Sequence, residues 1–162
     1  MPFNFIAILI ASISTLLFGF VWYHPKVFGT IWMKEVGLTE DELKKGNMLK
    51  IFALTIFYSF LLAFMMPTIV IHQMGAMGMV GGPDLIATAK PSYVAFMADY
   101  GTAFRTFKHG ALHGFLTSLF ISLPIIAING LFERKSWKYI LIHSGYWMVV
   151  LTFMGAIICG WQ

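Results

Sequence analysis

The chain has 162 residues, 59% of them hydrophobic and 11% charged, which leaves too few charges to coat a soluble surface of that size. Its formal net charge of +4 is what solvated membrane flanks supply, so composition gives no reason to invoke a nucleic acid partner. Cys159 is the single cysteine, which excludes an intrachain disulfide and any cysteine-based zinc or redox motif.

Four stretches contain no Asp, Glu, Lys or Arg: Phe3 to Tyr23, Ile51 to Ile71, Gly110 to Phe132 and Tyr139 to Gln162. Each reaches the roughly 20 residues with which a helix crosses about 30 Å of hydrocarbon. A spanning segment must satisfy its own backbone hydrogen bonds, and the runs lack the period-two alternation of barrel strands, so all four are read as helices. The first lacks a basic leading segment and a small-residue cleavage site and ends in Trp22 and Tyr23, residues suited to a membrane interface, so it is read as a retained helix.

Between the first two spans, Phe28, Ile31 and Trp32 recur at helical spacing, which predicts a segment lying on the membrane surface. Thr39 and Glu42 have the spacing of a capping box, with Leu38 and Leu43 placed as its hydrophobic staple, so a short helix is expected from Glu40, ending near Gly46. The second connection runs 38 residues from His72 to His109. Its first part, with Gly75, Gly78, Gly81, Gly82 and Pro83, reads as turn-rich and irregular. After Pro91, Ser92 can cap a short helix in which Tyr93, Phe96, Met97 and Tyr100 share a face. Gly101 breaks that helix and Thr102 can cap the third span, which then carries Arg105 and Lys108 outward. Pro67 and Pro124 each follow an apolar run inside a span and can kink it.

The expected fold class is all-α: a polytopic membrane protein with four transmembrane helices in a bundle and short interfacial helices in the loops. It forms one domain over 1–162, with spans at about 3–23, 49–71, 103–132 and 137–161. Lys26, Lys34, Lys44, Lys45, Lys50, Arg134, Lys135 and Lys138 lie in the first and third connections, against Lys90, Arg105 and Lys108 in the second. The eight-to-three bias predicts that both termini lie outside.

The run Phe18 to Leu43, FGFVWYHPKVFGTIWMKEVGLTEDEL, resembles the membrane family catalogued as domain of unknown function 1761, with its WY-x-P-x-x-FG-x-x-W pattern. Gly110 to Ala156, including NGLFERKSW and HSGYW, resembles that family's second half. The resemblance implies a small four-helix protein of the bacterial inner membrane with no assigned activity, so it carries over no catalytic residues. His24 stands where the pattern has a smaller residue, and the outer loop is longer than the pattern's, so a function common to the family is not expected to reside there.

Candidate sites follow from depth. Gly110, Gly114, Ser118 and Ser122 recur every four residues on the third span, a small-residue stripe that packs against a neighbouring helix or forms a homodimer seam. Counting about 20 residues outward from Phe132 puts His113 near the outer hydrocarbon boundary, with His109 and Arg105 above it on one helical face. His72 ends the second span at similar height, followed by Met74, Met77 and Met79. Imidazoles with thioethers suit Cu(I), whereas imidazoles with Asp99 suit zinc. The alternative is that these histidines bond water or head groups while the methionines fill packing gaps. Arg105, Lys108, His109, His113 and Asp99 also form a candidate outer mouth for a ligand. At the inner side, His143 can meet His24 or Tyr23, and Asn129 can bond across helices or cap a turn.

Enzyme readings have little to stand on. The chain has no G-x-S-x-G elbow, phosphate loop or H-E-x-x-H, and its seven acids all lie outside the uncharged runs. Asp99, His109 and His113 could pair as acid and base on a lipid head group. Intramembrane charges that would mark an ion path are absent from the four runs. The sequence thus leads to a non-enzymatic protein binding a lipid, a small apolar ligand or a partner membrane protein. A metal-handling protein binding copper or zinc through the outer His and Met cluster is the alternative, and a surface enzyme acting on head groups is a third.

Overall fold

The computed structural model describes residues 4–162, so residue 3 of the expected first span lies outside the described residues. Among the described residues there is no strand. The chain forms α1 (Phe5–Trp22), α2 (Thr30–Val36), α3 (Glu40–Lys44), α4 (Met48–Val70), α5 (His72–Met79), α6 (Pro91–Tyr100), α7 (Phe107–Thr117), α8 (Leu123–Phe132) and α9 (Trp137–Gly160). Four helices are long and apolar enough to cross a membrane: α1, α4, the continuous stretch Phe107–Phe132, and α9.

The hub of the bundle is α9. Of its most apolar window 44% is buried, against 33% for α1 and 11% each for α4 and the third span, so the other three helices pack around it and turn their remaining faces outward. The core joins Ile8 and Ala11 of α1, Ala63, Met66 and Val70 of α4, and Tyr146, Val150, Leu151, Met154, Ile158 and Cys159 of α9. Outside it, large side chains such as Leu49, Phe57, Phe120, Ile125 and Phe132 are exposed, a surface that only hydrocarbon solvates without penalty. An even number of crossings puts both termini on one face, and the side-chain amide of Asn4 donates to the Trp161 carbonyl at 3.3 Å. This is the termini face. The other carries the eight Lys and Arg residues of the first and third connections and is the basic face.

Contact between α7 and α9 is set by glycine. A Cβ on Gly110 would lie 2.0 Å from the Gly155 carbonyl oxygen, and one on Gly114 would lie 2.0 Å from that of Leu151. The two backbones therefore touch directly, the geometry that small residues allow between membrane helices. Ser118 continues the buried stripe, with Ser122 half-buried below it. Because Gly110, Gly114 and Ser118 are buried within their own chain, that face is not open to a second copy. The third span passes through a π turn at Ser118–Ser122, in which the Leu123 N–H reaches back to the Ser118 carbonyl. Pro124 follows at once; its nitrogen carries no proton and its ring needs the room that the wider turn supplies.

Loop structure departs from the expectation in three places. HQMGAMGM is helical as α5, and the turn falls instead at Gly81 and Gly82, whose φ values of +93° and +98° glycine adopts without strain. Lys90 precedes α6, with Pro91 at its first position, so Ser92 lies inside the helix. The third span starts at Phe107 instead of residue 103. Phe104 takes φ +61°, which no helix continues through, and Thr106 becomes the cap, its hydroxyl accepting from the His109 N–H at 3.1 Å. Arg105 consequently precedes the helix and is not on its face.

On the basic face the predicted capping box is present. Thr39 N–H donates to the Glu42 carboxylate at 2.8 Å and Glu42 N–H donates to the Thr39 hydroxyl at 3.3 Å. Bonding first to the Thr39 backbone and then to its hydroxyl holds Glu42 below the ordinary carboxylate range. A π turn at Pro25–Gly29 leads into α2. The rings of Phe28 and Trp32 rest on Trp22 and Tyr23. The Ser136 hydroxyl, which also caps α9, donates to the Glu35 carboxylate and ties the two basic-face connections together.

Candidate metal centre

Ile71 takes an extended conformation (φ −114°, ψ 101°) between α4 and α5, so His72 is the first residue of a new helix that sets off over the termini face. His109 and His113 stand one turn apart near the start of α7 and therefore share a face. Nε2 of His72 lies 2.9 Å from Nε2 of His109. Ring centroids are 4.4 Å apart for His109 and His113 and 5.0 Å apart for His72 and His113. One ligand nitrogen from each of the three lies within 4.8 Å of the others.

Two residues that the sequence reading did not single out hold this arrangement. Gln73 is buried, and its side-chain amide donates to the carbonyls of Tyr100 at 2.7 Å and Ala103 at 2.8 Å, fastening α5 to the end of α6. Phe104, directly after that anchor, sets its ring against both His72 and His109, with centroids 6.0 and 5.2 Å away. The left-handed Phe104 and the Thr106 cap thus do one job: they turn the chain from the Gln73 anchor into α7 so that His109 meets His72.

The other predicted participants are elsewhere. Helical residues advance about 100° each, so Met74 and Met77 project roughly 200° and 140° around α5 from His72. Met74 packs against the apolar core, Met77 is buried, and Met79 is 88% exposed. Asp99 is exposed on α6 and is not one of the groups gathered with the histidines. The Arg105 side chain reaches the carbonyl end of α9, its Nε donating to the Cys159 carbonyl at 2.9 Å, where a cation complements the helix dipole. Lys108 is exposed on α7. The arrangement is therefore three imidazoles, and the thioethers and carboxylate proposed beside them do not join.

Chemically, three imidazoles with an open side suit a borderline divalent ion. Two nitrogens on one tetrahedral zinc, at about 2.0–2.1 Å from it, stand roughly 3.3 Å apart. The 2.9 Å between His72 and His109 is a hydrogen bond between the two rings, a few tenths of an ångström shorter than that spacing, and a ligand nitrogen of His113 lies within 4.8 Å of both. A family model described as "Protein of unknown function (DUF1761)" matches residues 6–159. The chain belongs to the DUF1761 family. No curated protein and no solved structure gives a match. The matched range runs from α1 to α9 and so brackets the long connection.

A second polar group in this DUF1761 protein lies at the basic face. The Tyr23 hydroxyl and His143 Nδ1 share a hydrogen bond of 3.1 Å. His24 is exposed and turned back on its own chain, its Nδ1 accepting from the Lys26 N–H at 3.2 Å. His143 also borders a pocket of about 170 Å³ shared with Asn129 and Glu133. The sequence placed Tyr23 and His143 at one depth, and the structure pairs them.

Proposed function

We propose that this membrane protein binds a borderline divalent transition-metal ion, of the zinc class, at His72, His109 and His113. The observation that carries the reading is the convergence of three ligand nitrogens within 4.8 Å from α5 and α7, with Gln73 fastening α5 to the segment that leads into α7. The donor set favours this class over Cu(I), which prefers thioethers and thiolates, because Met74 and Met77 project away from His72 and Met79 lies two turns along α5 from it. Three protein ligands leave a fourth position for water or for a ligand that the ion presents. Binding is the activity proposed, and no catalytic residue is assigned.

The test is metal content. Protein purified in detergent without a histidine tag is expected to retain close to one equivalent of zinc by elemental analysis, or to take up one equivalent when stripped protein is titrated at neutral pH. Neither retention nor uptake would reject the reading in favour of a head-group clamp formed by Lys108 and the imidazoles.

We also propose that the triad faces outward from the cytoplasm, supported by the eight-to-three distribution of Lys and Arg between the faces. A reporter active only outside the cytoplasm should then work when fused after Gln162 or inserted near Gly82. Activity at Gly46 instead would reverse the orientation.

A further inference from the structure

Imidazole coordinates as a neutral ligand, so a divalent ion held by His72, His109 and His113 keeps its full double charge. The chain supplies no carboxylate there to offset it. Among the described residues, no Asp or Glu joins the ligand atoms gathered within 4.8 Å of one another. Within four residues of each histidine the charged side chains are Arg105 and Lys108, both cations.

The setting sharpens that imbalance. His109 and His113 are half-buried and are the third and seventh residues of the spanning stretch Phe107–Phe132, so the triad stands where the span enters the head-group layer. A charge partly withdrawn from water is stabilised by a counter-charge in contact with it. In a site with three protein ligands the open fourth position is where that contact forms, and the exposure of His72 leaves the group accessible. Apolar side chains adjoin it. The Phe104 ring lies against His72 and His109, with centroids 6.0 and 5.2 Å away, and Phe104 and Phe107 are 64% and 56% exposed.

We propose that the fourth ligand of this ion is a phosphate-type oxyanion, either the phosphate of a membrane phospholipid or free phosphate. Oxygen suits a borderline divalent ion, and phosphate is the anion that the head-group layer itself supplies in quantity. The neighbouring cations Arg105 and Lys108 raise the positive potential that draws an anion in. A lipid carrying that phosphate also finds apolar support at Phe104 and Phe107. This fourth ligand presupposes the ion itself, and the experiment separates failure of the one from failure of the other.

Cobalt(II) in place of zinc reports its own ligand shell, because its visible absorption changes with coordination. Stripped protein in dodecyl maltoside is loaded with one equivalent of cobalt(II), at constant pH and in a buffer free of phosphate and carboxylate. It is then titrated separately with inorganic phosphate, with dioctanoyl phosphatidic acid and with dioctanoylglycerol. Both phosphate compounds should shift the cobalt bands to a similar end point, with the cobalt still bound to the protein after gel filtration. Dioctanoylglycerol has the chains without the phosphate and should leave the bands unchanged. Saturation by the phosphatidic acid at an about tenfold or more lower concentration assigns the phosphate to a lipid, since the chains add a second point of attachment; saturation at equal concentrations assigns it to free phosphate. Bands that neither phosphate compound moves overturn the proposal while the metal site stands. So does a shift that dioctanoylglycerol reproduces, or one that comes with loss of cobalt from the protein. Failure to take up either cobalt or zinc overturns the metal site and the fourth ligand together.

Discussion

Gly114→Leu should lower the thermal stability of the protein in detergent by roughly 1 to 3 kcal/mol or more, the scale of overpacking in a close-packed interior. The atoms that a new Cβ would meet are the Leu151 carbonyl oxygen at 2.0 Å, its carbon at 2.7 Å and the Thr152 Cα at 3.0 Å, all backbone of α9. A side-chain neighbour could rotate away, but a helix backbone can only translate, and α9 is the helix on which α1 and α4 also rest. Gly110→Leu meets the same obstacle at Gly155. The control is Gly75→Ala on α5, where nothing lies within 4 Å of the added Cβ. Removing glycine's extra freedom in the unfolded chain should leave that variant unchanged or slightly more stable. Melting curves of the three variants in one detergent decide the matter. An unchanged transition for Gly114→Leu would mean that α7 does not lie on α9 through this face.

Those glycines show what a sequence can and cannot convey about a membrane bundle. Length and absence of charge defined the four spans to within a few residues, because hydrocarbon imposes one rule on every segment that crosses it. The stripe on α7 was legible as a packing face, because a four-residue period of small side chains has few other uses in a span. Its partner was not. Gly155 has Leu151 and Cys159 four residues to either side and belongs to no glycine and serine stripe on α9, and the identity of the central helix depends on which of four apolar surfaces are covered, a difference that hydropathy does not record.

The triad was partly legible for a related reason. An i, i+4 pair such as His109 and His113 announces a shared face, and a histidine at the end of the preceding span falls at the same depth. What joins them lies in features without a strong local signature: a left-handed Phe104, the choice of Thr106 over Thr102 as cap, and a buried Gln73 that fastens two loop helices. The glycine-rich HQMGAMGM resembled a turn, yet as a helix it carries Met74 and Met77 around to other faces and sets Met79 two turns along from His72. A groove of about 710 Å³ between α1 and α4 at the basic face left no linear trace, since its walls come from positions as far apart as Thr15 and Trp147.

Alanine at any one of His72, His109 or His113 should weaken zinc binding by at least about 10- to 100-fold, since loss of a supporting partner outside the coordination sphere alone costs that much. His72→Ala is the most telling of the three. His109 and His113 remain on one turn of α7 after it, so a two-ligand site survives whose weakness measures what α5 contributes. Met74→Leu and Met77→Leu nearly conserve volume and should leave zinc affinity unchanged, as should Asp99→Asn. Affinity should also fall as the solution is acidified, because each imidazole must be neutral to coordinate and protons compete with the ion for the same nitrogens. The slope should be shallower in the single variants, which have one fewer ligand to protonate. Isothermal titration of stripped protein gives all of these values, and the unfolding transition without metal separates lost ligands from lost fold. If Met74→Leu or Met77→Leu reduced affinity as far as the histidine variants do, α5 would have to turn its thioethers toward the ion, and the site would belong to Cu(I) chemistry instead of zinc.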